Sequence, residues 1–207
     1  LLIVKLTITF AVAYALLGNF NTKVKTILVI SVLGMLLFLA YSGIESYQDV
    51  RIPGVLQRIA LVYFFSSVLY LKSTTKTQII VAAILLIGYW ALMALVPVPG
   101  IGAANFEKGT NLSAYIDNIF LKNHIYGQTK NWDPEGILNT IPAIASGIIG
   151  ICIGQLLNSK TPKIEIVKKM CLFGFGLIIL GLIWNIKFPI NKSLWSSSYV
   201  IYTSGIA

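Results

Sequence analysis

The chain has 207 residues, of which 57% are apolar and only 11% charged, with a mean hydropathy of +0.82. Soluble domains are about a quarter charged, so this composition argues against a water-soluble globule, and its hydrophobicity excludes a disordered chain. The net charge of +9 raises a nucleic-acid reading that depends on where the sixteen basic residues fall.

A helix needs about 20 apolar residues to cross about 30 Å of hydrocarbon. Six stretches meet that requirement, at residues 1–18, 27–44, 54–71, 79–96, 137–157 and 170–186, and residues 196–207 begin a seventh. The first lacks a basic leading segment and a clear cleavage site, so it reads as a span and not as a signal peptide. The expected fold is all-α, a polytopic integral membrane helical bundle. Residues 1–207 read as one transmembrane domain and as a piece of a longer protein.

The breaks between spans alternate in composition. Those at 19–26, 72–78 and 158–169 carry Lys23, Lys25, Lys72, Lys76, Lys160, Lys163, Lys168 and Lys169. Those at 45–53, 97–136 and 187–195 contain acids or few lysines. The positive-inside rule puts the first set in the cytoplasm and the second outside. Most of the basic charge is then a topology signal, and nucleic acid is not expected as a partner. The 97–136 loop is too long for a plain connector, and within it Leu112, Tyr115, Ile116, Ile119 and Phe120 mark a short amphipathic helix on the outer surface. His124 lies in the same loop and reads as solvated.

Three outer segments carry the polar residues. Arg51-Ile-Pro-Gly-Val-Leu-Gln-Arg58 opens the third span, where Pro53 and Gly54 suit a turn into a helix. Arg58 then falls inside the span with Gln57 beside it. A charge there costs about 3 kcal/mol on insertion scales and normally faces a partner or a wet cavity; snorkelling or an ion pair to a neighbouring helix is the plainer alternative.

Trp132-Asp-Pro-Glu-Gly-Ile-Leu-Asn139 opens the fifth span. Asp133 suits an N-cap, Pro134 a first helical residue, and Glu135 the positive end of the helix dipole. A salt bridge to Arg51 or Arg58 would account for both acids equally well. Pro142 is expected to kink this helix. Gly150 and Gly154, preceded by Ala143 and Gly147, form a small-residue stripe that suits close helix packing or the wall of a tunnel.

Lys192-Ser-Leu-Trp-Ser-Ser-Ser-Tyr199 opens the seventh span, with Ser196 and Ser197 flanked by Trp195 and Tyr199; an interfacial aromatic belt is the alternative here. Cys152 and Cys171 read as small apolar fillers, and one histidine with two cysteines leaves no metal site. The polar groups converge at one membrane face, opposite a face that is merely basic.

These three segments, in this order, resemble the transmembrane acetyltransferases related to heparan-α-glucosaminide N-acetyltransferase, in a short-looped bacterial form. The likeness covers about residues 51–207. It implies transfer of acetyl from cytoplasmic acetyl-CoA to the amino group of a glucosamine-type acceptor outside, in a bacterial inner membrane, with a second copy of the chain as a candidate partner. On this likeness Asp133, Glu135, Arg58 and Asn139 are candidates for catalysis. Arg51, Gln57, Trp132, Lys192, Trp195, Ser196, Ser197 and Tyr199 are candidates for binding substrate. The basic loops are candidates for holding the CoA phosphates. The family's essential histidine and asparagine lie ahead of the span matching residues 1–18, so the stretch alone is expected to be inactive. A permease for a small anionic solute is the alternative.

Overall fold

The computed structural model describes residues 9–10, 12–15, 17–42 and 50–207. The span expected over 1–18 and the break at 45–53 lie largely outside the described residues. The chain divides into two compact units, residues 1–50 and 51–207.

In the first unit, α1 (Thr22–Tyr41) is started by Asn21, whose side chain accepts from Lys23 N–H at 3.0 Å. Its twenty residues give a helix roughly 30 Å long at 1.5 Å per residue.

The second unit is built from α2 (Val55–Lys72), α3 (Thr75–Leu95), α4 (Leu112–Phe120), α5 (Thr140–Leu157), α6 (Lys163–Asn185) and α7 (Ser197–Ile206). Among the described residues there are no strands, and α1, α2, α3, α5 and α6 are each long and apolar enough to cross a membrane. The protein is an all-α integral membrane protein. Large apolar side chains on the outer helix faces, such as Phe64, Leu71, Phe173, Phe175 and Leu182, are exposed, as suits contact with lipid.

The helices begin and end where their sequences direct. Gly54, in extended backbone, leads into α2, and Ser73 ends it with its hydroxyl donating to Leu69 O at 2.6 Å. Thr74 caps α3, Asn111 caps α4 through Ala114 N–H at 3.0 Å, and Ser196 caps α7. α3 and α6 start earlier than hydropathy suggests, at Thr75 and Lys163, so much of the breaks at 72–78 and 158–169 is helix. The first turns of both helices continue past the apolar block as polar, lysine-bearing turns.

The fifth span is shorter than expected. It starts at Thr140 rather than 137, so Asp133 and Pro134 are not its cap and first residue. Pro142 falls in the first turn, where a backbone N–H has no helical partner in any case. The kink expected from that proline has no cause there.

α5 is the hub, packing against α2, α3, α6 and α7. Its small residues permit this: a Cβ on Gly147 would stand 2.6 Å from Val62 Cγ1 and 2.7 Å from Ser66 Oγ of α2. Ala145 and Ile148 meet Ala82 and Leu86 of α3 and Val200 and Ile201 of α7 in one buried cluster. A second cluster, with Tyr89, Met93, Val98, Leu112, Phe188 and Leu194, joins α3 to α4 and the segment before α7. Thr75 Oγ1 donates to Gln155 Oε1 at 2.7 Å, which puts the lysine-bearing breaks after α2 and after α5 at one end of the unit.

α6 and α7 approach more closely than any side chain would allow. A Cβ on Gly181 would lie 2.8 Å from the backbone N and Cα of Tyr202. Gly176, on the same helix, has nothing within 4 Å. Gly181→Ala should therefore lose about 1–3 kcal/mol by overpacking while Gly176→Ala stays within about 1 kcal/mol of the parent, as measured by thermal unfolding in one detergent.

Candidate functional site

The segments 51–58, 132–139 and 192–199 meet at the end of the unit away from the lysine-bearing breaks. Arg58, buried in the first turn of α2, is the meeting point. Its Nη1 donates to Pro134 O at 2.9 Å and its Nη2 to Asn139 O at 3.0 Å. Its guanidinium carbon stands 4.1 Å from the centroid of the Trp195 ring. No carboxylate oxygen lies within 4.0 Å of it among the described residues. The cation is thus held by carbonyl dipoles and an aromatic face, with N–H groups left over.

Trp195 is held from several sides. Its Nε1 donates to Ser146 Oγ of α5 at 3.2 Å, and Tyr199 packs edge-on at 5.3 Å. Its φ of 50° is in the left-handed region, which costs a bulky residue about 1–3 kcal/mol and persists only when its surroundings enforce it.

Arg51 gathers the two acids. Its Nε and Nη2 donate to Asp133 at 2.9 and 2.6 Å, Nη2 also reaches Glu135, and the guanidinium lies 4.5 Å from the Tyr126 ring. The hydrogen bonds to Asp133, ahead of any other cause, raise its already high pKa. Asp133 is fully buried and also accepts from Tyr126 N–H at 2.7 Å and Glu135 N–H at 2.9 Å. With four donors its carboxylate is filled, and it acts as the knot of the 133–137 turn. Glu135 is only partly buried and faces a cavity.

That cavity, of about 820 Å³, is a trench between α2 and α5. Arg58, Glu135 and Trp195 stand at one end, and Tyr70, Gln155 and Asn158 at the other. From Arg58 to Tyr70 along α2 is roughly 18 Å at 1.5 Å per residue. The walls are Ile59, Val62, Tyr63, Ala143 and Ile151, interrupted by Ser66, Ser67 and Ser146. Gly147 brings the helices together, whereas Gly154, with nothing within 4 Å of its would-be Cβ, keeps the far end open. The small-residue stripe serves packing and trench alike.

Two comparisons bear on what this arrangement is. No protein-family profile matches the chain. Heparan-α-glucosaminide N-acetyltransferase from Homo sapiens is 30% identical over 80% of this chain and 32% of its own length; the Mus musculus protein is also 30% identical, over 80% of this chain and 33% of its own. The chain is a relative of these acetyltransferases. It spans about a third of the length of the curated relatives it matches.

Within this acetyltransferase relative, the remaining candidates divide by accessibility. Asn139 is buried: Tyr89 and Ser113 hydroxyls donate to its Oδ1 at 2.9 and 3.0 Å, and its Nδ2 donates to Asp133 O and Ser193 O, both at 3.3 Å. Ser196, Ser197 and Ser198 are fully buried, and their hydroxyls donate to Pro189 O, Leu86 O and Phe188 O. These groups tie helices and turns together. Gln57 and Lys192 are exposed, Trp132 is half-buried with Lys108 Nζ 5.9 Å from its ring, and neither these three nor Tyr199 line the trench.

His124, read as solvated, is buried, and its carbonyl accepts from Ile52 N–H at 2.9 Å. α4, just ahead of it, buries Leu112, Ser113, Ala114 and Asp117 and packs Tyr115 and Ile116 against the second cluster, while Ile119 and Phe120 are exposed, so its inward face mixes apolar and polar residues. Tyr89, Ser113, Ser146 and Asp117 escaped the sequence reading; only tertiary packing brings them to the site. Removing Arg51 would leave Asp133 buried without its cation, so Arg51→Met should cost on the order of 3 kcal/mol in thermal or denaturant unfolding.

Proposed function

We propose that the full-length protein transfers an acetyl group across the membrane, from acetyl-CoA on the lysine-rich, cytoplasmic side to the amino group of a glucosamine-type sugar on the other. The observation that carries this reading is the trench itself: mostly apolar along its length, with Arg58 and Glu135, its only charged lining residues among the described ones, at one end. A CoA thioester is an anionic nucleotide on a slim, flexible arm that ends in the reacting group. The trench suits the arm, and Lys72, Lys76, Lys168 and Lys169 suit the phosphates.

Arg58 has N–H groups left over, and beside the acetyl carbonyl they would stabilise the negative oxygen of the tetrahedral intermediate. Glu135 orients the amine and takes its proton as the C–N bond forms. The C–S bond then breaks, and the CoA thiolate leaves and is protonated. Trp195 gives the sugar ring an apolar face beside that centre. Asp133 and Asn139 position Arg51, Glu135 and the Pro134 carbonyl.

The test is transfer of labelled acetyl to glucosamine by the full-length protein in proteoliposomes. Arg58→Ala and Glu135→Gln should each lower kcat/KM by roughly 100-fold with the protein still inserted and folded. Gly154→Leu, which fills the trench away from the reacting end, should chiefly raise KM for acetyl-CoA. Wild-type transfer in both charge variants would remove this site from the reaction. Counterflow of a small anion without acetyl transfer would support a permease instead.

A further inference from the structure

Asp117 is a fully buried carboxylate on α4, outside the membrane-crossing helices, and no step proposed above uses it. Its carboxylate is spent on the turn that carries Glu135: Oδ1 accepts from Ile137 N–H at 2.9 Å and Oδ2 from Asp133 N–H at 3.4 Å. Oδ2 also lies against Gly136, where a Cβ would stand 2.1 Å away. Only glycine fits beneath the carboxylate.

No lysine, arginine or histidine nitrogen lies within 4.0 Å of Asp117 among the described residues. The titratable groups that act on it or feel its charge are Asp133, from the turn, and Tyr89, from α3. Arg51 is engaged by Asp133 and Glu135.

We propose that Asp117 is a positioning residue for acetyl transfer: it holds the 133–137 turn so that the Pro134 carbonyl meets Arg58 and Glu135 faces the trench. This rests on reading that site as the acetyltransferase centre. Burial, partly opposed by the N–H groups of Ile137 and Asp133 and reinforced by the Asp133 charge, raises the Asp117 pKa from 3.8 to about 6. The unfolded chain releases this proton near 3.8, so stability falls as pH rises from there through about 6. At neutral pH the ionised carboxylate therefore costs stability, and its hold on the turn is what it provides.

Asp117→Asn keeps the shape and one carbonyl acceptor but sets an amide N–H against one of the two backbone donors. In the full-length protein at pH 7.5, kcat for transfer to glucosamine should fall roughly 10- to 100-fold. KM for acetyl-CoA should change little, and the melting midpoint should hold or rise. The wild type should lose kcat as pH falls through about 6, and the Asn variant should lack that step. An unchanged kcat and pH profile, or a lowered melting midpoint alongside lost activity, overturns the proposal.

Hydrogen exchange across residues 133–137 supplies a readout independent of turnover. Corrected for intrinsic rates, wild-type protection there should drop below about pH 6, and a pH-independent protection overturns the proposal. A wild type that exchanges in this way but transfers no acetyl would keep the hold on the turn and sink only the enzymatic reading.

Discussion

A guanidinium inside a membrane-crossing helix has to be stabilised by the protein, because lipid offers it nothing. Among the described residues, Arg58 obtains that stabilisation without a carboxylate at contact distance. It has two carbonyls, from Pro134 and Asn139, and the face of Trp195. A paired arginine would be electrically closed. One solvated by dipoles and a π-face keeps its charge available to whatever occupies the trench, and the surrounding structure is arranged to present those acceptors.

The two acceptor carbonyls belong to an irregular, largely buried segment, whose polar groups must be satisfied within the protein. Asp133 gathers Arg51 and two backbone N–H groups, and Asn139 spends its oxygen on Tyr89 and Ser113. The three serines before and at the start of α7 donate to carbonyls of α3 and of the Phe188–Pro189 segment. A polar cluster so thoroughly bonded has one geometry, which is what preorganisation of a reaction site requires. The positive φ at Trp195 is a small strain carried by that same network.

How much of this was legible in the sequence depended on whether the signal was local. Apolar blocks gave α2 and α5 to within about three residues, because burial in lipid is written directly into composition. The starts of α1, α3 and α6 were misplaced because Thr22, Thr75 and Lys163 open helical turns beyond the apolar block, where polarity no longer distinguishes helix from loop. Asp133-Pro134-Glu135 looked like a helix start because every local preference fits one. The actual start at Thr140 is enforced from a distance, by Arg51 and Asp117 claiming the turn. The convergence of Arg58, Glu135 and Trp195 could be anticipated as three polar segments on one face. That Asp133 and Asn139 are knots in the scaffold while Glu135 faces the cavity could not, since only contacts between distant segments assign those roles.

The trench depends on a difference between glycines that sequence spacing alone cannot make. Gly147 and Gly154 lie on one stripe of α5, yet the first is pressed against Val62 and Ser66 and the second faces open space. Contact at Gly147 fixes how near α2 comes to α5. Because the two helices meet there and not at Gly154, the space between them widens toward the lysine-bearing end, while Arg58, Glu135 and Trp195 line the other. A smooth stripe of equal contacts would have zipped the pair shut. One tight crossing with a small residue left uncovered beyond it holds the helices apart toward the lysine-bearing end, and among the described residues no charge lines the trench beyond Arg58 and Glu135.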